Sequence, residues 1–191
     1  VYLDEHDISL KFAPSGRSGI FSVGFPAGRE AGIMLRSNGT GSFTVEENGV
    51  TGYDTFNGVK AYLYFEPAGI SDYKVSRADD GTPLNEGSST EGRRTAIVIT
   101  FKPEASMELN IRYGISYIST EQARLNMKNS IEGLGFAELS DIARKTWNDF
   151  LSKVEIEGGT EDQRTVFYTS LYRGHERMID ITENGKYFSA W

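Results

Sequence analysis

Residues 107–126 read MELNIRYGISYISTEQARLN, and the hydrophobic period changes inside this stretch. Met107, Leu109, Ile111 and Tyr113 alternate with Glu108, Asn110 and Arg112, as in a strand that buries one face. After Ser119 the alternation stops. Ser119 stands three residues before Gln122, a capping-box spacing, and helix-favouring residues run on from Glu121 to Ile131. The chain therefore divides near Ser119 into a β-rich part and a helical part.

On the N-terminal side the period of two persists. Ile8, Leu10 and Phe12 alternate with polar residues, as do Phe21, Val23 and Phe25, and Ile97, Ile99 and Phe101 follow the same spacing. Asn38-Gly39, Asn48-Gly49, Asn57-Gly58 and Asp80-Gly81 fall between such runs, and these pairs supply the positive φ angles of tight hairpins. About eight short strands with close turns predict an antiparallel β-sandwich over residues 1–118. The polar, Gly- and Ser-rich stretch 79–94 reads as a mobile loop.

On the C-terminal side the spacing is helical. Gly133 and Gly135 end the first helix. Leu139, Ile142, Ala143, Trp147, Phe150 and Val154 then lie on one face of a second, over roughly 137–153. Gly158-Gly159 closes that unit. Thr160, with Gln163 three residues on, caps a third helix whose apolar stripe is Val166, Phe167, Leu171 and Met178. The remainder, 178–191, reads as a hairpin or extended loop about Asn184-Gly185. Val1 and Trp191 both lie in strand-like sequence, so the expectation is a piece of a longer protein.

Composition narrows the function. With 38% hydrophobic and 12% aromatic residues the chain can bury a core and is not disordered. The net charge is −7 and the 20 basic residues are scattered, which disfavours nucleic acid as a partner. Without cysteine there is no disulfide, thiolate nucleophile or Cys-type zinc site. No apolar run approaches the roughly 18–20 residues that span a bilayer.

Candidate chemistry is sparse. His6 and His175 each stand alone, and His175-Glu176 point about 100° apart on a helix, so neither makes a metal site or a dyad. Asp79-Asp80-Gly81 has the look of a hairpin turn rather than a calcium loop. Asp180 and Glu183 precede a turn and are read as stabilising it. Tyr187 and Trp191 are the aromatic residues placed for stacking on a sugar ring. No catalytic residue and no metal ligand is assigned within the chain.

The helical half carries a family resemblance. Gly114-Ile-Ser-Tyr-Ile-Ser-Thr-Glu-Gln-Ala-Arg-Leu-Asn126, Trp147-Asn148, Leu151-Ser-Lys-Val-Glu-Ile-Glu-Gly-Gly-Thr160, Phe167-Tyr-Thr-Ser-Leu-Tyr172 and Asp180-Ile-Thr-Glu-Asn-Gly-Lys-Tyr-Phe188 resemble, in this order, segments of glycoside hydrolase family 92, the exo-acting α-mannosidases. The resemblance implies a β-sandwich (1–118), a helical linker (119–157) and the beginning of an (α/α)6 barrel (158–191). It implies a bacterial enzyme, secreted, periplasmic or on the cell surface, that removes terminal α-mannose from glycans with inversion and depends on calcium. The general acid, general base and calcium ligands would then lie beyond Trp191, in a C-terminal helical catalytic domain that partners this portion, which alone would be inactive. The alternative is a free-standing carbohydrate-binding or adhesion sandwich.

Overall fold

The computed structural model describes residues 1–70, 72–175 and 180–187. Its strands are β1 (Tyr2–Leu3), β2 (Ile8–Pro14), β3 (Ser18–Phe25), β4 (Ala31–Arg36), β5 (Thr40–Glu46) and β6 (Gly49–Phe56). They continue as β7 (Val59–Ala68), β8 (Lys74–Arg77), β9 (Pro83–Leu84), β10 (Ser89–Arg93), β11 (Ala96–Phe101) and β12 (Met107–Ser116). The helices are α1 (Thr120–Ile131), α2 (Phe136–Leu151) and α3 (Glu161–Gly174). An eight-stranded sheet, in the order β1-β2-β3-β12-β7-β6-β5-β10, faces a four-stranded sheet in the order β4-β11-β8-β9, and the paired strands are antiparallel. The expected antiparallel β-sandwich followed by helices is the fold observed.

The alternating runs account for the layer between the sheets. Val23, Phe25, Ile97, Ile99, Phe101, Leu109 and Ile111 are buried there with Phe43, Val45, Val50, Phe65 and Val75. Phe25 and Phe101 meet edge-on across the layer, 5.1 Å between centroids. The run in β2 departs from its expectation: Phe12 is 47% exposed and stacks on Phe21, while its neighbour Ala13 is buried. Ala13 faces the other side of the large sheet, which the helices cover. Ala13, Ile20 and Tyr64 pack there against Ala123, Met127, Ile131 and Leu139, forming a second core. Gly114 marks the closest approach, since a Cβ there would lie 2.1 Å from the Ala123 carbonyl oxygen.

More strands are present among the described residues than the sequence pattern counts. Stretch 79–94 is not a loop throughout: it contains β9 and β10, and β10 pairs with β5 from Ser89↔Thr44 to Arg93↔Thr40. An edge strand needs only backbone partners, so its polar sequence carries no alternation to read. Asn57-Gly58 forms the expected turn, with φ of 51° and 82°. The register Glu46↔Gly49 instead puts Glu47 and Asn48 at the centre of the preceding hairpin, and neither Asn48 nor Gly49 has positive φ.

The caps behave as their sequences direct, with one difference. Thr160 Oγ1 accepts from Gln163 N at 3.2 Å and Thr160 N donates to Gln163 Oε1 at 2.9 Å, a complete box. Ser119 Oγ accepts from Gln122 N at 3.1 Å, but the Gln122 side chain turns to Asn126 instead of closing the box. Of the apolar face expected on α2, only Leu139 is fully buried. Trp147 rests on Phe150 and on Tyr172 of α3, the latter 4.4 Å between centroids. In α3 no described residue is buried, and the structure describes that helix only to Gly174, so Met178 of the expected stripe lies outside the described residues.

Candidate functional site

Two turns and a strand-to-helix junction enclose a groove of about 700 Å³. One rim is the Asn57-Gly58 turn between β6 and β7. The opposite rim is a turn closed by the bridge Glu183↔Lys186, where Asn184 and Gly185 have φ of 50° and 72°. A turn about Asn184-Gly185 is therefore present, within the segment read as a hairpin or extended loop. The floor is Tyr117 and Ile118, where β12 gives way to α1, and Lys60, Tyr62, Lys186 and Tyr187 complete the lining.

The second rim is fixed by a buried carboxylate. Glu183 is 3% exposed. Its Oε1 accepts from the backbone N–H of Tyr117 at 2.9 Å and its Oε2 accepts from Asn126 Nδ2 at 2.8 Å. Arg17 Nη1 lies 3.7 Å from Oε1, and Arg17 Nη2 donates to the carbonyls of Asp180 and Thr182. Asn126 is oriented in turn by Gln122, whose Nε2 donates to Asn126 Oδ1 at 2.9 Å, while Asn184 Nδ2 donates to Gln122 Oε1 at 3.2 Å. Burial alone would raise the Glu183 pKa. The Tyr117 amide, the Ser116 hydroxyl, the Asn126 amide and Arg17 outweigh that burial and hold the carboxyl below the usual range.

Glu183 thus does more than the turn-stabilising role read from sequence. It ties the turn to the first residues after β12 and to α1. Asp180 keeps the simpler role: its Oδ1 accepts from Thr182 N at 2.8 Å, and that bond holds its pKa down. Neither carboxylate has the free, opposed geometry of a glycosidase acid–base pair.

The aromatic candidates separate by position. Tyr187 is 67% exposed on the groove wall. Trp191 lies outside the described residues. Tyr53 and Tyr62 are directly opposite on β6 and β7, with ring centroids 6.3 Å apart, and Lys60 Nζ lies 4.2 Å over the Tyr53 ring. The Tyr53 hydroxyl donates to Glu91 Oε1 at 2.9 Å, and that bond raises its pKa. Tyr64 and Phe65 belong to the cores. His175 packs edge-on against Phe150, and its Nδ1 sits 2.9 Å from the Leu171 carbonyl oxygen. Asp79 and Asp80 surround Arg77 at a turn, and Asp80 Oδ1 accepts from Thr82 N at 2.9 Å. Arg17 and Asn126 were not singled out by sequence as parts of a site, because each lies more than 55 residues from Glu183, and Gln122 was read only as a helix-capping residue.

Comparison with known proteins places these features. Residues 122–190 match the sequence model of the Glycosyl hydrolase family 92 catalytic domain. The chain is similar in structure to the family GH92 inverting mannosidase BT2199 from Bacteroides thetaiotaomicron, with 27% identity and a TM-score of 0.82 over 93% of this chain and 25% of that one. It is also similar to the family GH92 α-mannosidase BT3965 from the same organism, with 22% identity and a TM-score of 0.83 over 95% of this chain and 27% of the other. A GH92 family glycosyl hydrolase, ccman5, shares the fold at 24% identity and a TM-score of 0.79, over 93% of this chain and 26% of its own. The chain spans about a quarter of the length of these solved structures. No curated protein matches it. The resemblance read from Gly114 onward is borne out by both the family match and the shared fold.

Proposed function

We propose that the chain is the non-catalytic N-terminal portion of a calcium-dependent, inverting exo-α-mannosidase that hydrolyses terminal α-mannose of glycans. The observation that carries this reading is the match of residues 122–190, directly after the sandwich, to the family 92 catalytic domain. Inversion requires an acid and a base on opposite faces of the sugar, roughly 6.5–9.5 Å apart. Glu183 is ionised, buried and committed to three donors, so it serves neither role, and both groups are assigned to residues after Trp191. The calcium ligands are assigned there too, on the family resemblance of the helical half.

In this reading residues 1–118 are the sandwich, 119–157 the linker and 158–191 the opening of the catalytic barrel. The exposed apolar residues of the helices, with Ile142 at 49% and Val166 at 65%, dock on the barrel's further helices. The groove beneath Tyr187 borders the glycan, and Tyr187 offers an aromatic face to it, with Trp191 the second aromatic candidate read from the sequence. The enzyme works outside the cytoplasm, in the periplasm or at the cell surface; in the described residues no helix is long and apolar enough to cross a membrane.

The test compares this chain with its full-length parent on an aryl α-mannoside, with calcium and with chelator. The parent is expected to release mannose with inverted anomeric configuration, observed by proton NMR, and to stop on chelation; the chain alone is expected to be silent. Turnover by the chain alone contradicts the placement of the acid and base. A parent inactive on α-mannosides removes the mannosidase reading.

A further inference from the structure

Among the described strands four lie at sheet edges: β1 and β10 in the large sheet, β4 and β9 in the small one. An open edge invites pairing with another chain unless it is short, charged or broken by proline. Three of the four are protected in this way. β1 is two residues long, β9 is two residues with Pro83 among them, and β10 carries Glu91 and Arg93. The fourth, β4, is six residues, Ala31-Gly-Ile-Met-Leu-Arg36, with no charge before its last position. It pairs with β11 on one side and has no strand on the other. Ser37 N donates to the Thr95 carbonyl at 3.0 Å. Counting back by twos, Leu35, Ile33 and Ala31 also turn their backbone groups to β11. The backbone groups of Gly32, Met34 and Arg36 therefore point away from the sheet, and among the described residues no other backbone group bonds to them.

This edge is complementary to itself. With a second copy of β4 laid antiparallel beside the first and Ile33 opposite Ile33, Gly32 faces Met34, Ala31 faces Leu35, and Glu30, just before the strand, faces Arg36. Two-fold symmetry makes each of these pairs occur twice. The register sets the outward N–H and C=O groups of Gly32 against those of Met34, as the hydrogen-bonded pairs of an antiparallel ladder require; a slip of one residue does not. Met34 is 58% exposed, and Gly32 of the second copy, with no side chain, leaves it room. Ala31, Ile33 and Leu35 are only partly buried at the rim of the inter-sheet core, and in this pairing they cover one another. Glu30 and Arg36 are exposed and become cross-strand pairs of opposite charge. We infer that β4 is a dimerisation edge: it pairs with β4 of a second copy of this chain and joins the two small sheets into one. A contact of one strand with another is small, so the dimer is weak and depends on concentration.

Sedimentation velocity tests this on the 191-residue chain and on its full-length parent, from micromolar to millimolar concentration. For both, the sedimentation coefficient is expected to rise from the monomer to the dimer value. Hydrogen exchange adds a reading that needs no mutation: the Gly32 and Met34 amides should gain protection as concentration rises, while those of Ile33 and Leu35, already bonded to β11, should not change. Met34→Lys, at an exposed site, is expected to keep the chain monomeric throughout and to leave its melting temperature in dilute solution unchanged. Arg36→Glu sets like charges opposite each other and should weaken the dimer roughly tenfold. Adding Glu30→Arg to it makes the charges opposite again and should restore the affinity. A chain that stays monomeric at millimolar concentration overturns the inference. So does a dimer that Met34→Lys leaves intact, or one whose affinity the double reversal fails to restore. A monomeric parent whose Gly32 and Met34 amides are protected at every concentration carries a strand of its own polypeptide on this edge, and that result overturns the second copy as its occupant. No readout involves a sugar, so failure of the mannosidase reading leaves this inference untouched.

Discussion

Glu183→Gln should unlock the second rim of the groove without unfolding the sandwich. The wild-type carboxylate receives the Tyr117 amide at 2.9 Å and Asn126 Nδ2 at 2.8 Å, with Arg17 at 3.7 Å. The glutamine amide keeps one acceptor and turns two hydrogens toward groups that are themselves donors. Losing a charge-assisted bond in a buried site costs about 1.5–3 kcal/mol, or roughly 10- to 150-fold in the local opening equilibrium. Hydrogen exchange reports it directly, since the Tyr117 amide is one of the donors and the Lys186 amide closes the turn on the Glu183 carbonyl at 2.9 Å. Both amides should lose protection by that factor, while Ile99 and Leu109 in the inter-sheet core should keep theirs. Unchanged protection at Tyr117 refutes the clamp. An equal loss at Leu109 shows global destabilisation and refutes its local character. The wild-type protein should reach a similar state in acid. The folded pKa of Glu183 is lower than the unfolded one, so its contribution is complete above the ordinary glutamate range and disappears as the pH falls through the folded value. Tyr117 protection should therefore fall only at pH below about 4.3, the ordinary glutamate value.

Gly114→Ala should lower stability by about 2–3 kcal/mol, because its Cβ would meet the Ala123 carbonyl and Met127 and push α1 off β12. Thermal melting should show this as a drop of roughly 4–12 °C. Leu139→Ala removes the single fully buried side chain of α2 and should cost about 2–4 kcal/mol, read as increased solvent quenching of Trp147; Val166→Ala, at a 65% exposed site, should be neutral in the same assay. Thr160→Ala removes the hydroxyl that caps Gln163 N, worth about 1 kcal/mol, and circular dichroism should show α3 helicity falling, since no buried residue holds that helix in place.

What could be read from sequence was whatever is encoded locally. The period-two runs of β3, β11 and β12 located the inter-sheet core because their neighbours are water-facing or small. Ser119 and Thr160 located two helix starts because a cap is a contact across three residues. Edge pairing escaped: β10 has no alternation, and only the ladder to β5 defines it. So did the clamp, whose members Arg17, Asn126 and Glu183 meet only because β3, α1 and the 183–186 turn converge at one end of β12. Tyr187 was legible as an aromatic beside a turn, but not its place on a groove, which depends on the Asn57-Gly58 turn more than a hundred residues away.

The second core bears on the choice between an enzyme portion and a free-standing binding module. A module ending at residue 118 would have to leave the outer face of the large sheet to water. That face carries Ala13 and Ile20, each 1% exposed, and Tyr64 at 5%, and their cover is Ala123, Met127, Ile131 and Leu139 of α1 and α2. Arg124 adds its guanidinium over the Tyr64 ring at 4.4 Å and pairs with Glu46 of β5. Gly114 has been left without a side chain where the α1 backbone crowds β12, a Cβ there falling 2.1 Å from the Ala123 carbonyl oxygen. Each of these is an adaptation of the sheet to the helices, made at positions 13, 20, 64 and 114, well inside the sandwich sequence. A sheet whose outward face is built for a helix is half of a larger unit. The helices in turn offer Ile142 and Val166, and the α2–α3 connection offers Val154, to a surface the sandwich does not reach. Packing thus runs from sandwich to α1 and α2 and then outward, the direction in which a catalytic domain would be attached, and a self-contained lectin-like sandwich gives no account of it.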